Sequence, residues 1–395
     1  MQYFDAFGLT GDTLVLLLIA MKRETPDRFQ RLIGERIRFA REEAHLSQKQ
    51  LADRLGFKDR QILSNIEAGQ RRVSAEELLF FIKELGRSLE FFSDPFLLIG
   101  EVVSWRAENY PKLLADFESK LLPVIGLYRH LSADAQEDPQ LFVPQLPLTK
   151  ASYYEDAAEA AQRLVEQWNL GKIPSKALAA AAEQRLNLLV MMVDAPREIS
   201  GAAVFLPQLT TIVVNRNEPL GRRNYDFAHE LFHLLTWQSM PPAHLDLETA
   251  TTKAGGKRIE QLADTFAAAL LMPEPSIEPL WTSRKEVDIH DWLNRTACVL
   301  GVTAIALYWR LRSLKYLTPA DSIDIQEERL VWNGGGPEDE VKKPRLYSRK
   351  FVQRLHAGLD NGHVAVRRVT QVLNCTIEDL EQLFREYGLK PPFDL

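Results

Sequence analysis

The chain of 395 residues is poor in cysteine and carries no excess of positive charge. Its two cysteines, Cys298 and Cys375, form no closely spaced pair, which argues against a disulfide framework and against a metal site built from thiolates. A reducing compartment suits such a chain, so we expect a cytoplasmic protein. The formal net charge of −6 provides no overall positive field to attract nucleic acid or anionic lipid. Any contact with DNA must therefore come from a local patch.

Long hydrophobic runs are also lacking. The one candidate targeting segment, Thr13–Met21, is too short to cross a bilayer. Asp5 and Asp12 precede it where a signal peptide needs positive charge. We therefore expect no membrane association. We interpret residues 1–28 as an N-terminal extension, either a peripheral helix or the product of a start site placed too far upstream.

What the chain does have is an ordinary globular composition, with 46% hydrophobic and 26% charged residues. Its length exceeds that of one typical domain, so two or three cores are expected. Hydrophobic periodicity and turn residues predict an α+β, predominantly helical protein. The predicted segments are an all-α domain at 29–95, a helical connector at 96–150, a mixed domain with a small β-sheet at 151–332, a linker at 333–343 and a helical C-terminal unit at 344–395.

The strongest chemical signal is the sequence HELFH at residues 229–233. On a helix, side chains four residues apart share a face, so His229 and His233 can bind one zinc ion. Glu230 stands beside them as the candidate general base. The flanking residues are apolar, which indicates a helix buried in a core. The alternative explanation is a chance match, because a five-residue pattern of this kind arises fairly often.

A catalytic zinc ion needs a third protein ligand. Ser239 stands where an extended metzincin motif requires histidine, which excludes that subclass. Glu260, on a second predicted helix at 257–272, is the better candidate. Asp264 shares its helical face and could accept a hydrogen bond from a ligating imidazole. The competing candidates lie in a proline-rich loop and are His244, Asp246 and Glu248.

These motifs resemble the ImmA/IrrE family of zinc metallopeptidases over roughly residues 154–317. The resemblance rests on IVVN at 212–215, RNYDFAHELFH at 223–233 and EQLADTFAAALLMP at 260–273. It implies a zincin-like peptidase domain that holds one Zn²⁺ through His229, His233 and Glu260, with Glu230 as catalytic base. Phe232 departs from the family, which usually has glycine there. We expect it to crowd the helix face without touching the ligand set.

Peptide hydrolysis also needs groups that position the substrate and stabilise the oxyanion. The strand predicted at Thr211–Asn215 could pair with an extended substrate through backbone hydrogen bonds. Tyr225, Tyr308 and Arg310 are candidate donors to the oxyanion. Each of them has an alternative explanation, because aromatic residues and arginines in helices are more often packing or surface residues.

A second motif lies in the N-terminal domain. Ser47 is a candidate N-cap for a helix that ends near Gly56, and residues 58–67 are expected to form a recognition helix. The segment 31–89 resembles the XRE-type helix-turn-helix through LSQKQLA at 46–52, IEAG at 66–69 and RRVS at 71–74. The resemblance implies DNA binding. Candidate contacts to bases and phosphates are Gln48, Lys58, Arg60, Gln61, Ser64, Asn65, Arg71 and Arg72.

The alternative for this domain is a helical bundle that docks a protein. Acidic and basic residues nearly balance across it, and Asp59 and Glu67 would weaken a local positive potential. The C-terminal unit has Arg367 and Arg368 on its edge. It is expected to be a docking or dimerisation element, with DNA binding as the alternative, so a homodimer is compatible with the sequence.

Together the motifs predict a DNA-associated regulatory metalloendopeptidase. The resemblance suggests that its substrate is a repressor or antitoxin encoded nearby, in stress-response, mobile-element or phage-defence loci. The alternative is a transcriptional regulator or antitoxin whose zinc domain is a sensor or docking module with little proteolysis. Glu230 favours catalysis, because it is not needed to hold zinc.

Overall fold

The chain divides into two compact units between Ile99 and Gly100. The computed structural model describes residues 28–100, 102–108, 110–134, 144–206, 209–247, 254–285, 288–320, 324–335 and 343–393. The extension predicted at 1–28, with its apolar segment Thr13–Met21, lies almost wholly outside these ranges. Within them, no helix combines the length and the apolar character that a membrane span requires.

The first unit is built from helices, as the sequence predicts. Ser47 caps the second helix by accepting a hydrogen bond from the Gln50 backbone, and the Gln50 side chain accepts one from the Ser47 backbone. Ser74 caps the fourth helix through the same reciprocal arrangement with Glu77. The helices are α1 (Arg28–Glu43), α2 (Gln48–Arg54), α3 (Arg60–Glu67), α4 (Ala75–Leu85) and α5 (Leu89–Ser93). Their shared apolar core includes Ile37, Leu51, Leu63, Ile66, Phe81 and Phe92.

The second unit contains a mixed five-stranded sheet with the order β2-β4-β3-β1-β5. The strands are β1 (Val102–Ala107), β2 (Leu189–Val193), β3 (Ile199–Leu206), β4 (Leu209–Asn215) and β5 (Leu245–Leu247). β3 runs antiparallel to both β4 and β1, whereas β2 is parallel to β4 and β5 is parallel to β1. This topology leaves β2 and β5 at the two edges.

Helices cover the sheet and form most of the second unit. The helices are α6 (Pro111–Asp134), α7 (Tyr154–Trp168), α8 (Leu178–Leu186), α9 (Leu220–Thr236), α10 (Ala254–Leu271), α11 (Glu274–Thr282), α12 (Ile289–Leu300), α13 (Ala304–Ser313), α14 (Arg349–Asp360), α15 (Val366–Leu373) and α16 (Ile377–Glu386). Two of them, α9 and α10, pack against each other, and α9 also packs on β3 and β4. The α+β, predominantly helical prediction is therefore confirmed.

Two details of the sheet correct the sequence-based expectations. The predicted helical connector at 96–150 does contain the helix α6, but it also supplies β1, which pairs with β3 about a hundred residues later. The prediction that Thr211–Asn215 pairs with an extended substrate is wrong. That segment belongs to β4, whose two edges already pair with β2 and β3, so its backbone groups are used within the sheet.

The C-terminal helices belong to the second compact unit. α14 packs on α6 and β2, and α15 packs on α6. The backbone N–H of Tyr347 donates at 2.7 Å to the carbonyl oxygen of Met192 in the edge strand β2. At the start of the predicted linker, the carbonyl oxygen of Asn333 accepts from Gly221 N–H at 2.8 Å. Residues 336–342 of that linker lie outside the described ranges.

Candidate metal centre

The helix α9 carries the central motif and is buried along nearly its whole length, with every residue from 226 to 236 buried. It begins at Leu220. At Gly221, an added Cβ atom would stand only 2.5 Å from the backbone carbon of Val302. Glycine thus lets the first turn of α9 approach the segment before α13 closely.

α9 and α10 bring three candidate ligands to one point. The Nε2 atoms of His229 and His233 lie 3.1 Å apart. Oε2 of Glu260 lies 3.1 Å from Nε2 of His229 and 3.3 Å from Nε2 of His233. Zinc bonds of roughly 2.1 Å in a tetrahedral site place ligand atoms about 3.4 Å apart. Nitrogen and carboxylate donors at these separations fit a single zinc ion, and within the described residues they form the one cluster of this kind.

The charges around this cluster favour a bound cation. Burial and the charge of Arg106 lower the pKa of His229, but hydrogen bonds with Asp264 and Glu260 outweigh them and raise that pKa to about 10. Burial alone would raise the pKa of Glu260, yet the charge of His233 and hydrogen bonds from both histidines hold it far below its ordinary value. The carboxylates of Glu260 and Asp264 are therefore stabilised by a positive charge beside them, which either an imidazolium or a metal ion provides.

Asp264 lies on α10 one turn after Glu260, and its Oδ1 atom is 3.0 Å from Nδ1 of His229. This contact leaves the Nε2 atom of His229 pointing toward His233 and Glu260. A carboxylate behind a ligating imidazole fixes its tautomer and ring orientation. The structure thus places Asp264 where the sequence analysis expected an outer partner of the metal site.

Glu230 has the surroundings that a general base needs. It is 1% exposed, and its Oε2 atom has no hydrogen-bond partner within the described part of the chain. Burial raises its pKa from the ordinary 4.5 to about 7. Gly201 on β3 faces it, since an added Cβ atom there would lie 3.9 Å from Cγ of Glu230 and 2.6 Å from the carbonyl oxygen of Val213.

Arg106 is a residue of the centre that sequence reasoning missed. It lies on β1 opposite Gly201, its Nε atom is 3.3 Å from Oδ1 of Asp226, and its guanidinium is 3.8 Å from Oδ1 of Asp264. The guanidinium also lies 6.0 Å from the ring centre of Tyr225. No local signal marked it, because its segment was predicted as a helical connector and its partners follow more than a hundred residues later.

A cavity of about 390 Å³ opens beside Asp264, on the Arg106 side. Two of the three candidate oxyanion donors, Tyr225 and Arg310, are on its wall. The hydroxyl of Tyr225 donates to the backbone carbonyl of Asp264 at 3.1 Å, and Nε of Arg310 donates to the carbonyl of Met272 at 3.1 Å. The third candidate, Tyr308, is 4% exposed and packs beside Trp309.

Of the competing third ligands, His244 has no contact with the cluster in the described part of the chain. His244 is engaged elsewhere, because its Nδ1–H donates to the carbonyl of Val103 at 3.1 Å and its Nε2 atom lies 3.6 Å from Glu118. The side chains of Asp246 and Glu248 lie outside the described part of the structure.

Phe232 packs between α9 and α10, and its ring also lies 5.8 Å from that of His233. Its side chain is completely buried, and its ring lies 5.5 Å from that of Phe266 on α10. The ring therefore fills the interface between the two helices that carry the ligands.

In the first unit, α2 and α3 form the predicted helix-turn-helix. α3 begins at Arg60, since the Asp59 side chain caps it by accepting from the Gln61 backbone, so Lys58 precedes the recognition helix. The candidates Lys58, Arg60, Gln61 and Arg72 are exposed, whereas Gln48, Ser64, Asn65 and Arg71 are partly buried.

Some of these side chains are already engaged within the protein. The guanidinium of Arg71 pairs with Glu77 at 2.8 Å, and the amide of Gln61 donates to Oδ1 of Asn65 at 3.0 Å. The expectation that Glu67 weakens the surface potential is wrong. Glu67 is buried, 2.6 Å from Arg41, and accepts from the Gln48 amide at 2.8 Å, so its charge is neutralised within the core.

Comparison with known families agrees with both motifs. Residues 37–92 match a family model described as helix-turn-helix, and residues 183–312 match one described as the IrrE N-terminal-like domain. A search of curated proteins found no match. The second match includes His229, Glu230, His233 and Glu260 but begins well after Arg106. The chain thus combines a helix-turn-helix domain with a peptidase-like domain of the IrrE type, which is the architecture of a DNA-binding regulator.

Proposed function

We propose that the chain is a zinc metalloendopeptidase that acts beside DNA and hydrolyses a peptide bond in a protein partner. The observation that carries the proposal is Glu230, a buried carboxylate whose Oε2 atom has no hydrogen-bond partner in the described structure, next to three converging ligand atoms. A site that only stored zinc would have no use for this side chain. When bound at His229, His233 and Glu260, zinc supplies a Lewis acid for water and for the scissile carbonyl.

The remaining chemistry belongs to the side chains of the protein. Glu230 accepts the proton of the attacking water and passes it to the leaving amine. A pKa raised to about 7 by burial suits both steps, because a general base works best when its pKa lies near the operating pH. Asp264 keeps the His229 ring oriented through the 3.0 Å contact to Nδ1.

The helix-turn-helix domain supplies the regulatory context. The exposed Arg60, Gln61 and Arg72 are of the types that contact base edges and phosphates. A peptidase carried to DNA in this way would meet DNA-bound regulators. The substrate class we propose is therefore a repressor or antitoxin encoded near this gene, as the family resemblance suggests.

The test uses the full chain together with the products of the neighbouring genes. Purified wild-type protein is expected to hold one zinc ion by elemental analysis and to cut one of those products. Glu230→Gln should hold the same amount of zinc and cut nothing. Glu166→Gln removes an exposed carboxylate on α7 and should behave as wild type. Wild-type protein without zinc, or equal cleavage by Glu230→Gln, would refute the proposal.

The second candidate function is a zinc-dependent sensor or docking module. The burial of the centre favours it, since His229, Glu230 and His233 are each 1% exposed, while the side chain of Glu260 is 18% exposed. Wild-type protein that holds zinc and binds DNA and the partner, but leaves the partner intact, would establish this function and exclude the first.

A further inference from the structure

Resting on the proposed function, we infer that Arg106 is a positioning residue of the metal centre, supplied from outside the matched peptidase domain to hold Asp264 against His229. Arg106 lies on β1 and directly faces Gly201 of β3 in the sheet. That register carries its guanidinium to the same side as Glu230, which Gly201 also faces. The strand thus reaches the centre through ordinary sheet pairing.

The contacts of Arg106 show what fixes it in place. Its Nε atom lies 3.3 Å from Oδ1 of Asp226, whose carboxylate is completely buried. The second oxygen of Asp226 lies 3.3 Å from Nε of Arg222, one turn earlier on α9. The contact with Arg222 is a hydrogen bond, whereas the Nε contact of Arg106 is an ion pair without hydrogen-bond geometry. A buried carboxylate between two arginines has little freedom, because moving away from either would leave buried charge uncompensated. Asp226 therefore anchors the guanidinium of Arg106 to the helix that carries His229.

Asp264 is the side chain that needs this anchor. Its side chain is 49% exposed, so water competes for the carboxylate and holding it in one rotamer costs conformational entropy. The guanidinium of Arg106 lies 3.8 Å from the same Oδ1 atom that contacts Nδ1 of His229 at 3.0 Å. Arg106 thus links Asp226 to Asp264 and closes a chain of contacts that ends on a metal ligand.

The charge of Arg106 does not by itself explain its place. A lone cation near the ligands would repel a metal ion, but Asp226, which also contacts Arg222, lies at 3.3 Å and compensates part of that charge. The pair can therefore be removed as a unit with little change in net charge. What is lost in that case is the geometric restraint on Asp264, and loss of outer-shell partners typically weakens metal binding by about 10- to 100-fold.

The experiment measures zinc affinity of the full chain by competition with a chelating dye, and the visible spectrum of the Co²⁺-substituted protein. The central variant is the charge-matched pair Arg106→Gln with Asp226→Asn. We expect its zinc dissociation constant to rise about tenfold, with an altered Co²⁺ spectrum. Arg106→Lys keeps the charge but not the planar fork, and should give an intermediate loss. The control, Arg197→Gln, changes a side chain that is 93% exposed and should match wild type.

A double-mutant comparison shows whether Arg106 acts through Asp264. If it does, adding Asp264→Asn to the charge-matched pair should weaken zinc binding no further than Asp264→Asn alone, within about twofold. The inference would be overturned if the effects of the pair and of Asp264→Asn on zinc affinity multiplied in the combined variant. An unchanged affinity and Co²⁺ spectrum in both Arg106 variants would overturn it as well. Should the paired variant fail to fold by circular dichroism, Arg106→Lys decides alone. Failure of the proposed function is distinct, because it appears in the wild-type chain as missing zinc or missing cleavage.

Discussion

Glu260 on α10 places one carboxylate oxygen 3.1 Å from Nε2 of His229 and 3.3 Å from Nε2 of His233 on α9. Two helices therefore share a single site, and each contributes side chains spaced four residues apart. The spacing aligns the side chains along one face of each helix, and the packing of α9 against α10 brings those faces together.

Glu260→Ala tests this relationship. We expect zinc affinity to fall by more than about 100-fold, because the loss of a ligand should exceed the effect of losing an outer partner. Chelator competition on the purified full chain measures the change, and Glu166→Ala serves as a control far from the ligands in sequence and exposed on α7. Stoichiometric zinc that stays tightly bound in Glu260→Ala would show that another group completes the site.

A good part of this site could be predicted from the sequence, because the residues concerned lie close together along the chain. The spacing of His229 and His233, and that of Glu260 and Asp264, can be read along single helices. Arg106 could not be found in this way, because β1 pairs with β3 about a hundred residues later. β5, a three-residue strand, was missed for a similar reason. Pairing between distant segments is tertiary information that local patterns do not carry.

Glu230→Gln distinguishes the candidate base from the metal ligands, because it should change how the stability of the metal-free fold depends on pH. Burial raises the pKa of Glu230 in the metal-free fold from 4.5 to about 7. A carboxyl group whose pKa is raised by folding destabilises the folded state when it ionises. The free energy of unfolding therefore falls as pH rises from about 4.5 to about 7. Above pH 7 the ionised carboxylate costs up to about 3 kcal/mol, whereas glutamine carries no such penalty.

Thermal melting of the metal-free wild type and Glu230→Gln at pH 5 and pH 8 measures this effect. The variant should melt at a similar temperature to wild type at pH 5 and at a higher one at pH 8. Glu166→Gln should show no pH-dependent difference. A gap between wild type and Glu230→Gln that is equal at the two pH values would contradict the effect of burial.

Phe232→Gly tests why this chain departs from the usual glycine of the family. The Phe232 ring is completely buried against Phe266 between α9 and α10. Its removal should leave a cavity and cost about 3–5 kcal/mol, and glycine within a helix adds about 1 kcal/mol. Zinc binding should weaken with it, since the two helices that hold the ligands lose their shared packing.

Urea denaturation of the full chain, monitored by tryptophan fluorescence, measures the loss in the free energy of unfolding. Val299→Gly is the matched control, because Val299 is 51% exposed on α12 and its substitution carries mainly the helix penalty. If Phe232→Gly were no more destabilising than Val299→Gly, the interface between α9 and α10 would have to repack around the smaller residue.

A separate prediction concerns DNA binding by the recognition helix α3. Arg60 and Gln61 are exposed in its first turn, where a helix-turn-helix reads base edges. Arg60→Ala together with Gln61→Ala should lower affinity for a duplex selected by the wild-type chain from a random library, by about 1–3 kcal/mol per lost base contact. Zinc content should not change, because both residues belong to the first unit.

Arg72 and Arg71 provide the comparison within the same surface. Arg72 is exposed, so Arg72→Ala should weaken binding to all sequences alike and lower the salt dependence by about one unit, as expected of a phosphate contact. Arg71 is paired with Glu77 at 2.8 Å, and Arg71→Ala should have the smaller effect on that slope. Fluorescence anisotropy at several salt concentrations gives both quantities. If affinity and salt slope stay at wild-type values in every one of these variants, the surface around α3 binds a protein instead of DNA.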